Sequence, residues 1–470
     1  MSPARPRGGR APGAGAKGGR TAGASSKSGR AAGAGAKGAR TAAAAKAGRK
    51  PAAANSHWSS NQVGVHGRLF ADPQPGPDET AFMVDNTSGQ YYESPYYKLH
   101  KNQIQPIPPP SSPSPRIELA DILGAEAIKT ITDSGKIAFH AVGDTGAAKV
   151  NVHQTAEVAI EQEGWVADAM SRDVRQGGPD APCFFFHLGD VVYDFGEAEY
   201  YYDQFYEPFR GYDAPIFAIP GNHDGGVKYG EDPNTPLTPT LMAFRRNFCA
   251  PSPEPSPDAN GLARSTMTQP GVYFTLDAPY VSIVGLYTNV LDEGPGVISS
   301  QGGRYPIGDE QLQFLTSELQ RIGQLSDFLE KKRALIVACH HPPASLDAAH
   351  GGALGLAEDI ATACKQAQVW PHAVLSGHAH LYQRFTRNSE GHEVPYVVAG
   401  SGGYAATPPR TKPKKIPLPV GEFTLEIEPV VEFGYLTVTV DTTVAKPTLT
   451  IAFRSVDGAR THDEMPPIEL

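Results

Sequence analysis

The 470-residue chain is poor in cysteine: it has four, Cys183, Cys249, Cys339 and Cys364, with no C-x-x-C spacing among them. That argues against a thiolate metal motif or a disulfide-stapled scaffold. Cys183 and Cys339 sit inside apolar runs and read as small core residues. No run of eighteen apolar residues occurs, so no transmembrane helix is expected. The N-terminus lacks the apolar stretch of an ordinary secretory signal. A cytoplasmic location with reduced thiols is the expectation, and an unusual organellar transit peptide or non-classical export is the alternative. Acids are absent from residues 1–55, which hold twelve Lys or Arg. The net charge of −9 therefore leaves about −21 on the remainder, an acidic body behind a basic segment.

That basic segment repeats a decapeptide. GRAPGAGAKG, GRTAGASSKS and GRAAGAGAKG follow one another from Gly9 to Gly38, each with Arg second and Lys ninth. Gly, Ala and Ser offer nothing to bury, so residues 1–55 read as a disordered tail. Such a tail could contact nucleic acid or another anionic surface, act as a transit peptide, or simply solubilise the protein. Residues 56–115 are aromatic and Pro-rich, ending in PIPPPSSPSP, and read as an irregular wrapping segment and linker. A helix is expected near Ile117–Ile131. Residues 116–460 then form the main domain, with 461–470 as a C-terminal tail.

From Lys136 the texture changes. KIAFHAVG, PCFFFHLG, PIFAIPG, VYFTL, YVSIVGLY, ALIVAC, HAVLSG and YVVAG are short continuous apolar runs rich in β-branched and aromatic residues. They read as strands buried on both faces. Helical spacing lies between some of them, as in GDEQLQFLTSELQRIGQLSDFLEKK, so the body is a layered α/β architecture. YLTVTVDTTVAKPTLTIAFRSVDG reads as a closing β-hairpin.

Five of the runs deliver chemistry at their carboxyl ends. HAVG leads to Asp144, FFFHLG to Asp190, FAIPG to Asn222-His223-Asp224, LIVAC to His340-His341, and AVLSG to His378 and His380. In layered α/β proteins such ends gather in one crevice, so these side chains are expected to converge. Carboxylates mixed with imidazoles suit Zn, Fe or Mn. The set exceeds what one tetrahedral ion uses and suits two ions sharing a carboxylate. No Ser or Cys nucleophile motif is visible. Gly308-Asp309 reads as a helix start, His140 and His372 as structural, and His187 as structural or as supporting a ligand from behind.

In order, GDTG, GDVVY, GNHD, VACH and GHAH resemble the five blocks of the calcineurin-like metallophosphoesterases, most nearly the purple acid phosphatase branch. The resemblance runs from about Lys136 to Gly403. It implies a layered α/β/β/α sandwich with mixed sheets. It also implies that Asp144, Tyr193 and His380 bind a first metal, that Asp190 bridges, and that Asn222, His340 and His378 bind a second. Fe(III) beside Fe(II), Zn(II) or Mn(II) is the implied pair. Relatives outside the branch carry DxH in the first block; here that position is Gly146, and Tyr193 would fill the gap. His223 matches the histidine that assists the leaving oxygen. Asp224, expected with His223 to be catalytic, departs from the usual Glu, so how His223 is oriented is open. His341 reads as lying behind the ligands or facing the substrate.

The implied reaction is attack of a metal-bound hydroxide on a phosphate ester, making the chain an acid-phosphatase-type phosphomonoesterase for a phosphorylated small molecule. A phosphodiesterase acting on cyclic nucleotides or nucleic acid is the alternative. An inactive binder of anionic polymers is the alternative of another class. The residues do not set the oligomeric state.

Overall fold

A computed structural model describes residues 106–147, 156–193, 196–226, 239–262, 264–289, 296–300, 307–456 and 461–470. The repeated basic segment, most of residues 56–115 and Asp194 lie outside them. Along the chain come β1 (Arg116–Glu118), α1 (Leu119–Leu123), α2 (Ala125–Ser134), β2 (Lys136–Val142), α3 (Ala156–Gln176), β3 (Phe185–His187) and β4 (Ile216–Ala218). Next are α4 (Met242–Phe248), β5 (Phe274–Ala278), β6 (Val281–Gly285), α5 (Glu310–Gly323), α6 (Ser326–Leu329), β7 (Ala334–Cys339), α7 (Leu354–Ala367) and β8 (Ala373–Ser376). The last strands are β9 (Tyr382–Ser389), β10 (His392–Ala399), β11 (Leu418–Val420), β12 (Phe423–Leu425), β13 (Gly434–Asp441), β14 (Thr448–Ser455), β15 (Thr461–Glu464) and β16 (Ile468–Glu469).

Two mixed sheets result. One runs β1-β5-β6-β7-β8-β10-β9-β12-β11, and the other β15-β14-β13-β2-β3-β4 with β16 also on β14. Strands β6-β7-β8 run parallel at the centre of the first, and β2-β3-β4 run parallel to the edge of the second. Strand alternation explains the layers. Phe184, Phe186, Ile336 and Ala338 point between the sheets into one core. Phe185 points out beneath Val166, Ala167 and Met170 of α3. Leu335, Val337 and Cys339 point out beneath Leu315 and Leu319 of α5 and Ile360 of α7. Each central strand is thus covered on both faces, which is why its sequence is apolar without a break. The order of layers is α/β/β/α, as the motifs imply.

Three local expectations need adjustment. The helix expected near Ile117–Ile131 begins as β1 and breaks at Gly124, whose φ of 80° only glycine adopts easily. The helical stretch after Gly308 divides into α5 and α6, with Asp309 as the N-cap of α5. Residues 461–470 are not a tail: β15 and β16 pair with β14, and Met465 and Leu470 are buried in the inter-sheet core.

Candidate metal centre

The loops after β2, β3, β4, β7 and β8 leave the carboxyl ends of parallel strands and meet at one point. Asp144, Asp190 and His378 adopt left-handed backbone, with φ of 60°, 57° and 66°. Non-glycine residues hold that conformation at a cost, and clusters of such strain occur at functional sites. Glycines make room for the turns. A Cβ on Gly377 would meet Asp144 Oδ2 at 2.7 Å, and one on Gly189 would meet His340 Nδ1 at 2.6 Å.

The predicted ligands form two adjoining groups. In the first, Tyr193 Oη donates to Asp144 Oδ1 at 3.2 Å and to Asp190 Oδ2 at 3.1 Å, and His380 Nε2 stands 3.4 Å from Asp144 Oδ1. In the second, His340 Nε2 lies 3.3 Å from Asp190 Oδ2 and 3.0 Å from Asn222 Oδ1, with His378 Nδ1 2.9 Å from the same amide oxygen. Asp190 Oδ2 belongs to both groups. Asp190, His340 and His378 are also the set of described residues whose donor atoms all lie within 4.8 Å of one another.

These spacings fit metal ions. Donors held at ~2.0–2.2 Å from a shared ion stand ~2.8–3.6 Å apart in tetrahedral or octahedral geometry. The donor chemistry fits as well. The carboxylates of Asp144 and Asp190, the Asn222 amide oxygen, the Tyr193 hydroxyl and the imidazoles of His340, His378 and His380 are the oxygen and nitrogen donors that Zn, Fe or Mn takes. The His340 Nδ1 contact with the Leu188 carbonyl, at 2.8 Å, places a ring proton on Nδ1 and turns Nε2 inward. Two carboxylates buried within 3.2 Å of one hydroxyl are favourable beside a cation.

The titration of the cluster says the same. Burial would raise the Asp190 carboxyl, but the His340 and His223 imidazoles hold it well below the usual carboxylate range. Burial lowers His340, yet the Asp190 carboxylate outweighs it and lifts the imidazole to about 9. His378 is held well below its ordinary value by burial and by the surrounding histidines. Burial, then Asp144 and Asp190, push the Tyr193 phenol well above its ordinary value. Only a stronger positive charge would displace that proton.

Space at Gly146 is the most specific feature. A Cβ there would meet Tyr193 Cδ2 and Gln204 Oε1 at 2.8 Å and the Val191 carbonyl at 3.0 Å. The tyrosine ring thus occupies the volume that a side chain at 146 would need.

His223 is anchored through its backbone N–H to Asp190 Oδ1 at 2.9 Å, with its ring 4.3 Å from the Tyr193 ring. Asp224 does not face the cluster. Its carboxylate accepts from the backbone N–H of Val191, Val192 and Gly221 at 2.9–3.2 Å, tying the loop after β4 to the loop after β3. Burial and the Asp190 charge push it up to about 7, against those three amides. His187 ties two ligand loops together: Gly189 N–H donates to Nδ1 at 3.1 Å, so Nε2 donates to Thr145 Oγ1 at 2.9 Å. His341 is buried behind the ligands, with Nδ1 2.7 Å from Thr288 Oγ1.

Two neighbours carry no motif. The Tyr404 ring stacks on Tyr193, with centroids 3.6 Å apart and planes 7° apart, and its N–H donates to the Asp144 carbonyl at 3.0 Å. His350 is partly exposed, its ring 4.6 Å from that of His378 and 4.8 Å from that of His380. The adjacency of Tyr404 to the run YVVAGSGG was the available signal for the first; nothing marked the second.

The calcineurin-like phosphoesterase family profile matches residues 137–382, and the chain belongs to that family. No curated protein matches the chain. Among solved structures it is similar to the purple acid phosphatase PPD1 from yellow lupin (Lupinus luteus) seeds, at 17% identity and a TM-score of 0.46 over 71% of this chain. The chain spans about half the length of that enzyme, 53%. It is also similar to GAP50, the anchor in the inner membrane complex of Plasmodium, at 13% identity and a TM-score of 0.47 over 71% of this chain and 89% of that one. A third likeness is to PhoD, at 12% identity and a TM-score of 0.39 over 77% of this chain and 74% of that one. No helix among the described residues is long and apolar enough to cross a membrane.

Proposed function

We propose that the chain is a phosphomonoesterase of the purple acid phosphatase type, working with two metal ions. The observation that carries this reading is the position of Tyr193. Its hydroxyl lies between Asp144 and Asp190, and its ring fills the space over Gly146. Asp144, Asp190, Tyr193 and His380 would hold one ion, and Asp190, Asn222, His340 and His378 the other. A phenolate, a hard anionic donor, favours Fe(III) in the first position, and Fe(II), Zn(II) or Mn(II) suits the second. When bound, such a pair supplies activation of water and neutralisation of the phosphoryl charge.

The chain's own residues do the rest. The Leu188 carbonyl and the Tyr404 N–H fix the orientation of His340 and of the Asp144 backbone. His223, held beside Asp190 by its backbone, presents its imidazole to the leaving oxygen and donates the proton that oxygen needs. Asp224 is a positioning residue: its three amide bonds hold Asn222 and His223 against the loop of Asp190. His350, partly exposed beside His378 and His380, faces the incoming phosphate. Tyr404 buries the flank of Tyr193 and keeps water from it.

Hydrolysis of p-nitrophenyl phosphate against bis(p-nitrophenyl) phosphate by iron- and zinc-loaded protein tests the reading. The monoester is cleaved faster. Equal or faster diester cleavage assigns the chain to diesters, and no cleavage of either with any metal makes it a binding protein.

A further inference from the structure

The body is acidic, yet one strip beside the site is not. Residues 405–415, AATPPRTKPKK, carry Arg410, Lys412, Lys414 and Lys415 and no acid. Backbone bonds stitch the start of the strip to the site. Thr407 N–H donates to the His380 carbonyl at 3.0 Å, Ala348 N–H to that of Pro408 at 3.1 Å, and Arg410 N–H to that of Leu346 at 2.7 Å. Asp347 and Pro409 form an antiparallel bridge. The strip therefore runs along the loop that carries His350. Three residues of extended chain put Arg410 within ~10 Å of Thr407.

All four cations are exposed. Lys412 pairs with Glu428 at 2.9 Å, but among the described residues no carboxylate pairs with Arg410, Lys414 or Lys415. Elsewhere cations are mostly answered: Lys136 by Asp180 and Asp441, Arg321 by Asp277 and Glu318, Arg333 by Asp327, and Lys446 by Glu469. Pro408, Pro409 and Pro413 stiffen the strip, so little freedom is lost when its charges engage a ligand.

We propose that this strip is the leaving-group subsite. It binds further phosphate on a small ester whose reacting phosphate lies at the ligand cluster. The substrate class is then a small phosphomonoester bearing at least one additional phosphate group. The inference rests on the phosphoesterase reading above.

The test compares glucose 6-phosphate, glucose 1,6-bisphosphate and p-nitrophenyl phosphate as substrates of the full-length, metal-loaded protein. It uses wild type and the triple variant Arg410→Ala, Lys414→Ala, Lys415→Ala, at ~0.05 and ~0.2 M NaCl. Wild type shows a KM for the bisphosphate ~5–10-fold below that for the monophosphate, the scale of three exposed charge contacts, shrinking as salt rises. The triple variant loses that preference and keeps its p-nitrophenyl phosphate kinetics. If the triple variant does not fold, Lys415→Glu supplies the same comparison by charge reversal. A wild type without preference, or a preference that survives the substitutions, overturns the proposal. So does a single-stranded oligonucleotide that competes better than the bisphosphate, which assigns the strip to nucleic acid. Absence of p-nitrophenyl phosphate cleavage with every metal instead overturns the phosphoesterase reading on which the proposal stands.

Discussion

Strand β2 borders two buried polar clusters built from the same residue types, and they differ in one respect. On its outer face His140 Nδ1 lies 3.1 Å from Tyr212 Oη, its Nε2 stands 3.5 Å from Asp173, and Tyr435 Oη donates to Asp173 at 2.7 Å. That cluster holds a single carboxylate, and His140 Nε2 makes no hydrogen bond in it. Beyond the end of β2, two carboxylates, an amide oxygen and three imidazoles crowd together on strained backbone. Histidine, aspartate and tyrosine in a core do not by themselves make a site. Two carboxylates gathered with three imidazoles on left-handed backbone do, because burying two carboxylates side by side is unfavourable unless a cation joins them.

That contrast can be broken by substitution. Asp190→Ala, which removes the carboxylate common to both groups, should abolish binding of both ions and lower activity ~10³-fold or more, beyond the ~10–100-fold typical of residues behind the ligands. Metal analysis and kcat measure it; two ions retained would refute the shared role. His223→Asn should keep both ions and lose ~10²–10⁴-fold in kcat for a poor leaving group, with a smaller loss for nitrophenolate. An equal loss on both substrates would take proton donation away from His223.

Gly146→Ala should cost about 1–3 kcal/mol of stability, since the new methyl meets Tyr193, Gln204 and the Val191 carbonyl. Thermal unfolding checks it. An unchanged midpoint would mean that the tyrosine does not fill that space.

The His140 cluster, with two further buried histidines, yields the smallest effect, read through pH. Burial lowers His140, takes His187 to about 3 and takes His372 to about 4. A histidine with a depressed folded pKa stays neutral in the fold while the unfolded chain takes up a proton below about 6.5. Stability is therefore full above that pH and falls as pH drops through the window toward the folded values, by about 1.4 kcal/mol per pH unit for each group. His140→Gln should flatten that slope without touching metal content. A steeper slope would reverse the sign assigned to His140.

The sequence made the site legible for a physical reason. Ligands sit at strand ends beside glycines that the close approach of neighbouring loops requires, so each motif has a fixed spacing. The two sheets were legible because strands covered on both faces read as unbroken apolar runs. Tyr404 and His350 were not legible, since their positions depend on loops whose packing leaves no periodic mark. Asp224 looked like part of the reacting group and proves to be occupied by three backbone amides. The strands β15 and β16 were missed because short edge strands with THDE and IE carry almost no apolar pattern.

The proposed metal centre turns on Tyr193 as a ligand in place of a side chain at position 146. Metal analysis combined with the visible spectrum of iron-loaded protein tests it most directly. Two ions per chain and a tyrosinate-to-Fe(III) absorption band that disappears in Tyr193→Phe are the predicted result. Two bound irons with no such band, or a band that Tyr193→Phe leaves unchanged, would contradict it.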